Sequence, residues 1–252
     1  MPKFFVKQEQ IIENKINIIG QDVNHIKNVL RLKENDEIEI CNIDKEETYK
    51  CKIEKIDNES IVCNILEKEK TQKEPNIHIT IFQGLPKAEK MELIIEKCTE
   101  LGVKEITPFN LKRCVVKLDN KAETKKIERW QKIAETAAKQ SKRNNILKVN
   151  NILNLDNVCN LVPKYDIVLL AYEDEENNSL KNEIEKLKET ENSKLKIGVV
   201  IGPEGGFEKE EVLKLKQAGS KIVSLGRRIL RTETAPIVLA SILMYEFNEM
   251  NV

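Results

Sequence analysis

The sequence predicts an α/β protein in two parts: a small N-terminal β-barrel, then a larger domain built on a mainly parallel sheet. Three observations predict it. Short stretches within residues 1–67 alternate apolar and charged side chains with period two. From Asn76 onward, apolar runs of strand length alternate with segments of helical period. The later apolar runs are nearly continuous, as strands covered on both faces require. A chain of 252 residues corresponds to one or two domains at about 150 residues each, and it can bury a core without disulfide staples.

In the first part, Tyr49, Cys51 and Ile53 alternate with Lys50 and Lys52, and Ile61, Cys63 and Ile65 alternate with Val62 and Asn64. This is the pattern of half-buried antiparallel strands. Asp22 is placed to cap a short helix with apolar positions Val23, Ile26, Val29 and Leu30. The stretch Glu67 to Pro75 (EKEKTQKEP) is polar, aperiodic and closed by proline. It marks the boundary between a barrel over residues 1–70 and a second domain over 74–252.

In the second part, Ile77, Ile79 and Ile81 mark a strand, followed by a loop through Gly84 and Pro86. Met91, Ile94, Ile95, Cys98 and Leu101 then share one helical face, with Gly102 past the end as a C-cap. Val103 to Phe109 reads as a strand, and a long helix around Glu123 to Ser141 gathers Trp130, Ile133, Ala134 and Ala137. Asp166 to Tyr172 and Ile197 to Ile201 are the buried strands. Glu208 to Ala218 is a helix closed by Gly219, and Ile222 to Leu225 a further strand. Ala235 to Asn248 is a final helix with Pro236 tolerated in its first turn. No internal repeat is visible. Such strand–helix alternation specifies a mainly parallel sheet.

Lys and Arg number 42, as do Asp and Glu, so any polyanion site must come from local clustering. Lys112 to Lys148 is such a cluster, with twelve Lys/Arg against four acids, whereas residues 173–196 hold eight acids and five lysines. A basic helix face is either a solvated surface or a phosphate-tracking patch, and Gln140, Arg143, Asn144 and Asn145 add hydrogen-bonding groups beside this one. Aromatic residues at 4% argue against a base-stacking platform. The longest apolar stretch, Ala235 to Tyr245, falls short of the ~20 residues of a membrane span. The start MPKFFVKQEQ lacks a signal peptide's apolar core, so the expectation is a cytoplasmic protein. The six cysteines include no CxxC pair and the two histidines stand apart, so no metal is expected.

Two segments carry chemistry. Ile201-Gly202-Pro203-Glu204-Gly205-Gly206-Phe207 follows a buried strand and precedes a helix, where ligands of open α/β sheets bind. It is neither a P-loop nor a GxGxxG turn, and an acid beside free amides suits a neutral or cationic ligand. Leu225-Gly226-Arg227-Arg228-Ile229-Leu230-Arg231-Thr232-Glu233-Thr234-Ala235 again joins strand to helix. Three arginines in five residues make a local anion site, and Glu233 and Thr234 are candidate helix caps. A plain strand–helix turn remains the alternative for the first segment, and a capped helix with arginines answering nearby acids for the second.

GPEGGF and LGRRILRTETA, with KAEKMELIIEKCTELGV (Lys87 to Val103) and AAKQSKR (Ala137 to Arg143), resemble the bacterial 16S ribosomal RNA uracil-N3 methyltransferases of the RsmE type. PKFFV and HIKNVLRLKENDEI (His25 to Ile38) resemble that family's N-terminal PUA-like barrel. The resemblance implies a trefoil-knotted SPOUT domain, a homodimer, S-adenosylmethionine as cofactor, and 16S ribosomal RNA or the small ribosomal subunit as partner. Carried over by position, the cofactor loops are Gly202, Pro203, Glu204 and Gly205, then Leu225, Gly226, Ile229, Leu230, Arg231 and Thr234. The turn after Leu170 and Ala171 supplies a third wall. Lys3 stands where the family usually has arginine, which keeps the charge but loses the planar fork.

Methyl transfer to uridine N3 needs in-line positioning and removal of the N3 proton. Arg231 is the candidate to stabilise the charge left on O2 and O4, and Glu233 is either base or helix cap, with water as the alternative base. Lys3, Arg31, Lys87, Arg113 and Arg143 are the expected RNA contacts, a solvated surface being the competing reading for each. Two other classes stay open: a non-catalytic RNA-binding protein, and a SPOUT methyltransferase acting on a different nucleotide.

Overall fold

The computed structural model describes residues 1–69, 74–190 and 194–251. They form two compact units, Met1–Glu74 with Ala138–Ile146, and Pro75–Ala137 with Leu147–Val252.

The first unit contains β1 (Lys3–Val6), β2 (Ile11–Ile12), β3 (Lys15–Ile19), β4 (Glu37–Asn42), β5 (Glu47–Ile56) and β6 (Ser60–Glu69). They make one sheet in the order β1-β4-β5-β6-β3-β2, antiparallel except where β1 runs beside β4. Period-two alternation turns Ile16, Ile18, Ile38, Ile40, Ile53 and Ile61 into a common core with Phe4. Register shifts at Lys50/Cys51 and Ile53/Lys55 raise the local twist and curl the sheet. Of the expected boundary segment, residues 70–73 lie outside the described residues, and β6 runs on to Glu69.

Helix α1 (Gln21–Asn24) continues as a π-helical turn, His25–Val29. Two expectations fail here. Gly20, not Asp22, occupies the N-cap, and the Asp22 carboxylate instead accepts from Lys139 Nζ at 2.8 Å. Val23 and Ile26 are buried, but Val29 and Leu30 are 63% and 38% exposed. The wider turn, closed by the Leu30 N–H on the His25 carbonyl at 2.9 Å, rotates them off the apolar face.

The second unit contains β7 (His78–Gly84), α2 (Lys90–Glu100), β8 (Glu105–Asn110), α3 (Asn120–Gln140), β9 (Lys148–Val149), β10 (Leu153–Asn154), α4 (Leu155–Leu161), β11 (Ile167–Ala171), α5 (Leu180–Lys188), β12 (Lys196–Ile201), α6 (Lys209–Gln217), β13 (Lys221–Val223) and α7 (Thr234–Glu246). Its sheet runs β10-β8-β7-β12-β11-β13, with β9 beside β8, and every pairing is parallel. The central strands bury Ile79, Ile81, Phe82, Ile197, Val199 and Val200 completely, which explains their continuous apolar runs. Helix α2 buries the stripe Met91, Ile94, Ile95 and Cys98.

The segment Ala138–Ile146 packs within the first unit. Glu74 accepts from Arg143 Nη2 at 2.6 Å and from the N–H groups of Asn144 and Asn145 at 2.7 and 2.9 Å. The Asn144 side-chain oxygen accepts from Lys3 Nζ at 2.6 Å and from Thr48 Oγ1 at 2.7 Å. Partners this far apart in the chain leave no periodic signal.

Candidate active site

In a parallel sheet all strands end at one edge, so the loops after β11, β12 and β13 rise side by side. They enclose a cavity of about 390 Å³, within the usual range for small-molecule sites. Apolar side chains of Ile201, Phe207, Leu225 and Leu230 line it, together with Glu173, Glu204 and Lys90.

The first loop is held from several sides. β7 and Pro203 approach so closely that a Cβ on Gly84 would lie 2.7 Å from Pro203 Cδ, so only glycine fits there. Arg113 donates from Nε to Glu208 at 2.9 Å and from Nη1 to the Gly205 carbonyl at 2.8 Å. Beneath the loop, buried Gln83 donates from Nε2 to Thr232 Oγ1 at 3.0 Å, and Thr232 donates onward to the Gly202 carbonyl at 2.6 Å. This chain ties the end of β7 to both loops. The sequence offered one weak signal for it, a glutamine closing the apolar run ITIFQ.

The second loop is open. Gly226 has φ +105°, and the space that a Cβ would enter holds no atom within 4 Å, so the glycine is needed for its backbone angle rather than for room. Beyond it Arg227 and Arg228 are exposed, Ile229 is 79% exposed, and the Arg231 side chain is 82% exposed.

Between the loops, Lys90 Nζ lies 3.0 Å from Glu204 and 3.1 Å from Glu233. Burial pushes the Glu204 carboxyl up, but Lys90 and the N–H groups of Glu204 and Lys87 outweigh it and hold it below the usual carboxylate range. Burial also pushes Glu233 up, and its own N–H, Lys90 and Arg231 bring it below that range. Hydrogen bonds to the two acids raise the Lys90 ammonium. All three groups therefore stay charged near neutrality. Glu233 makes no side-chain cap to α7, which corrects that expectation: its carboxylate is turned to Lys90.

A family model described as an RNA methyltransferase domain matches residues 72–244, and one described as an RNA methyltransferase PUA domain matches residues 18–66. The ribosomal RNA small subunit methyltransferase E of Bacillus subtilis (strain 168) is 37% identical over 252 residues, spanning 98% of this chain and 97% of that protein. The chain belongs to this family. The crystal structure of a ribosomal RNA small subunit methyltransferase E from Neisseria gonorrhoeae, bound to S-adenosyl methionine, is 27% identical with a TM-score of 0.84, covering 97% of each chain. A crystal structure described as that of a hypothetical protein is 34% identical with a TM-score of 0.90, covering 99% of this chain and 100% of that one.

Of the residues that the methyltransferase E resemblance implies for the cofactor, Ala171, Gly202, Pro203, Glu204, Leu225, Gly226, Ile229, Leu230 and Arg231 line the cavity. Leu170, Gly205 and Thr234 do not. Leu170 is fully buried inside β11, Gly205 turns its carbonyl to Arg113, and Thr234 begins α7. Lys90, Tyr172, Glu173, Phe207 and Ser224 also line it and were not expected. Lys90 sits at a helix start inside the motif KAEKMELIIEKCTELGV, remote in sequence from either glycine loop, so the motif alone does not point to the cavity.

Three of the expected RNA contacts have partners within the fold. Lys3 is buried on Asn144, Arg143 is 5% exposed and paired with Glu74, and Arg113 is spent on Glu208 and Gly205. Arg31 and Lys87 are exposed. Among the described residues no helix is long and apolar enough to cross a membrane, and no cluster is arranged to hold a metal ion.

Proposed function

We propose that this protein methylates N3 of a uridine in 16S ribosomal RNA, using S-adenosylmethionine held in the cavity between the two glycine loops. The reading includes a barrel over residues 1–70 that binds RNA, a knotted catalytic domain over 74–252, a homodimer, and a cytoplasmic setting. One observation carries it: both motif loops converge on a single, partly apolar cavity that holds Glu173 and Glu204 and is edged by arginines.

The residues present fit the cofactor. Ile201, Leu225, Leu230 and Phe207 offer apolar surface for a nucleoside, and Glu173 and Glu204 add carboxylates for a cationic ligand to the lining. When bound, the cofactor supplies a methyl group activated by sulfonium. Gly202, Pro203, Glu204, Leu225, Gly226, Ile229 and Leu230 hold it, with Ala171 as the third wall. Arg231 would stabilise the negative charge spread over O2 and O4 as N3 loses its proton, as a donor placed where charge develops. Glu233 is a poor base, because a carboxylate held below its usual range has little affinity for that proton. It fixes Lys90 and steers Arg231 from 3.9 Å, and the proton leaves to water.

The test is to incubate the purified protein with S-adenosylmethionine and small subunits from a strain deleted for the gene, then digest the RNA and identify nucleosides by mass spectrometry. 3-Methyluridine is expected. Another methylated nucleoside would move the activity to a different base, and none would leave only a binding protein.

A further inference from the structure

The cations of this chain divide into those the fold has already partnered and those it has not. Arg113, Arg129 and Arg143 each meet a carboxylate within 2.9 Å. Arg227 and Arg228 are exposed and have no partner among the described residues, and Arg231 has only a contact of 3.9 Å to Glu233. All three line the cavity on one short loop. Like charges crowded within five residues repel one another, and a bound anion removes that repulsion.

Their setting restricts which anion fits. Glu173 and Glu204 also line the cavity, and Lys90 is already paired with Glu204 at 3.0 Å, so an anion that entered would find two carboxylates, and its unpartnered cations only on the arginine loop. An extended polyanion that stays outside and sends only a neutral base inward meets neither carboxylate with its charge. Guanidinium groups grip phosphate oxygens in pairs through their planar fork. Ile229, exposed between Arg228 and Arg231, adds apolar surface against which an unstacked base can rest.

We propose that Arg227 and Arg228 clamp the RNA backbone beside the target nucleotide and so deliver its base to the cavity. This rests on the methyltransferase reading. The clamp is distinct from Arg231, whose role lies in the chemical step.

The experiment pairs Arg227→Ala/Arg228→Ala with Arg227→Lys/Arg228→Lys in the full chain. RNA affinity is measured by fluorescence anisotropy with a labelled 16S ribosomal RNA fragment at several salt concentrations, beside methyl-transfer kinetics and calorimetry with S-adenosylmethionine. The alanine pair is expected to weaken RNA binding about tenfold and to lower the slope of log affinity against log salt by about two. Cofactor affinity stays at the wild-type value, and the lysine pair recovers the salt slope. Unchanged RNA affinity and slope in the alanine pair would overturn the clamp, as would a loss confined to cofactor binding. Methyl transfer by the wild type separates the two failures: transfer present with RNA affinity unmoved sinks the clamp alone. Transfer absent with RNA affinity sensitive to both arginines sinks the reading and leaves the clamp.

Discussion

The stretch Lys112–Lys148 and the loop Gly226–Arg231 are both rich in cations, yet their arginines have opposite fates. In the first, Arg113 is held by Glu208, Arg129 by Glu92, Lys139 by Asp22 and Arg143 by Glu74. In the second, no arginine has a close carboxylate. A count of charges finds the longer stretch first, because it holds more of them. What separates a structural cation from one left for a ligand is whether the fold supplies its counter-charge, and those acids lie tens of residues away.

That contrast can be sharpened by removing one cation from each region. Arg143→Ala leaves the Glu74 carboxylate without its buried partner, a loss worth about 3–5 kcal/mol. It should appear as a large drop in the denaturant midpoint of the first unit, whereas Arg228→Ala should stay within about 0.5 kcal/mol of wild type. Equal stability in the two variants would erase the distinction.

Arg231→Ala should reverse the order when activity is measured. Stability is expected to hold while methyl transfer falls about 10²–10³-fold, as for a lost donor to developing charge. Single-turnover kinetics at saturating RNA and cofactor check this, and an unchanged rate would remove Arg231 from the chemistry.

Gln83→Leu cuts the tie between β7 and the two loops. Losing it should cost about 1–3 kcal/mol, since Thr232 is left buried with one partner fewer. Weaker S-adenosylmethionine binding by calorimetry should accompany the lower stability. Binding at full strength would show that the loops hold their shape without it.

The smallest effect is on pH dependence. Glu204 and Glu233 lie below their ordinary values, so their contribution is complete above the usual carboxylate range and is lost as pH falls through the lowered values. Lys90 is raised, so its contribution is complete below the usual lysine value and is lost as pH rises through the raised one. These groups are partly exposed, so about 1 kcal/mol or less is at stake. Lys90→Met should flatten the acid limb of a stability-against-pH curve, and an unaltered limb would show that the triad is electrostatically idle.

Much of the fold was legible because its signals are local. Ile77, Ile79 and Ile81 announce β7, and the stripe Met91–Ile94–Ile95–Cys98 announces α2. Helix α5 was not, since Leu180–Lys188 is so charged that its three buried apolar residues Leu180, Ile184 and Leu187 are hidden among acids and lysines. Helix α4 is too short for a periodic signal. At the site, the glycine loops were readable because strand–turn–helix junctions are marked by composition. Lys90, Gln83 and Thr232 act through neighbours distant in the chain, and only the folded topology brings them in. Lys3 shows the same limit in reverse: a terminal lysine looks solvated until Asn144 is placed on it.

The central claim is that the loops after β12 and β13 form one site for a sulfonium methyl donor. Isothermal titration of the purified protein with S-adenosylmethionine tests it most directly. Saturable heat at one ligand per chain, abolished by a bulky residue at Ser224 on the cavity wall, is the predicted result. A folded protein that takes up no ligand, or one whose affinity is indifferent to filling the cavity, would contradict it.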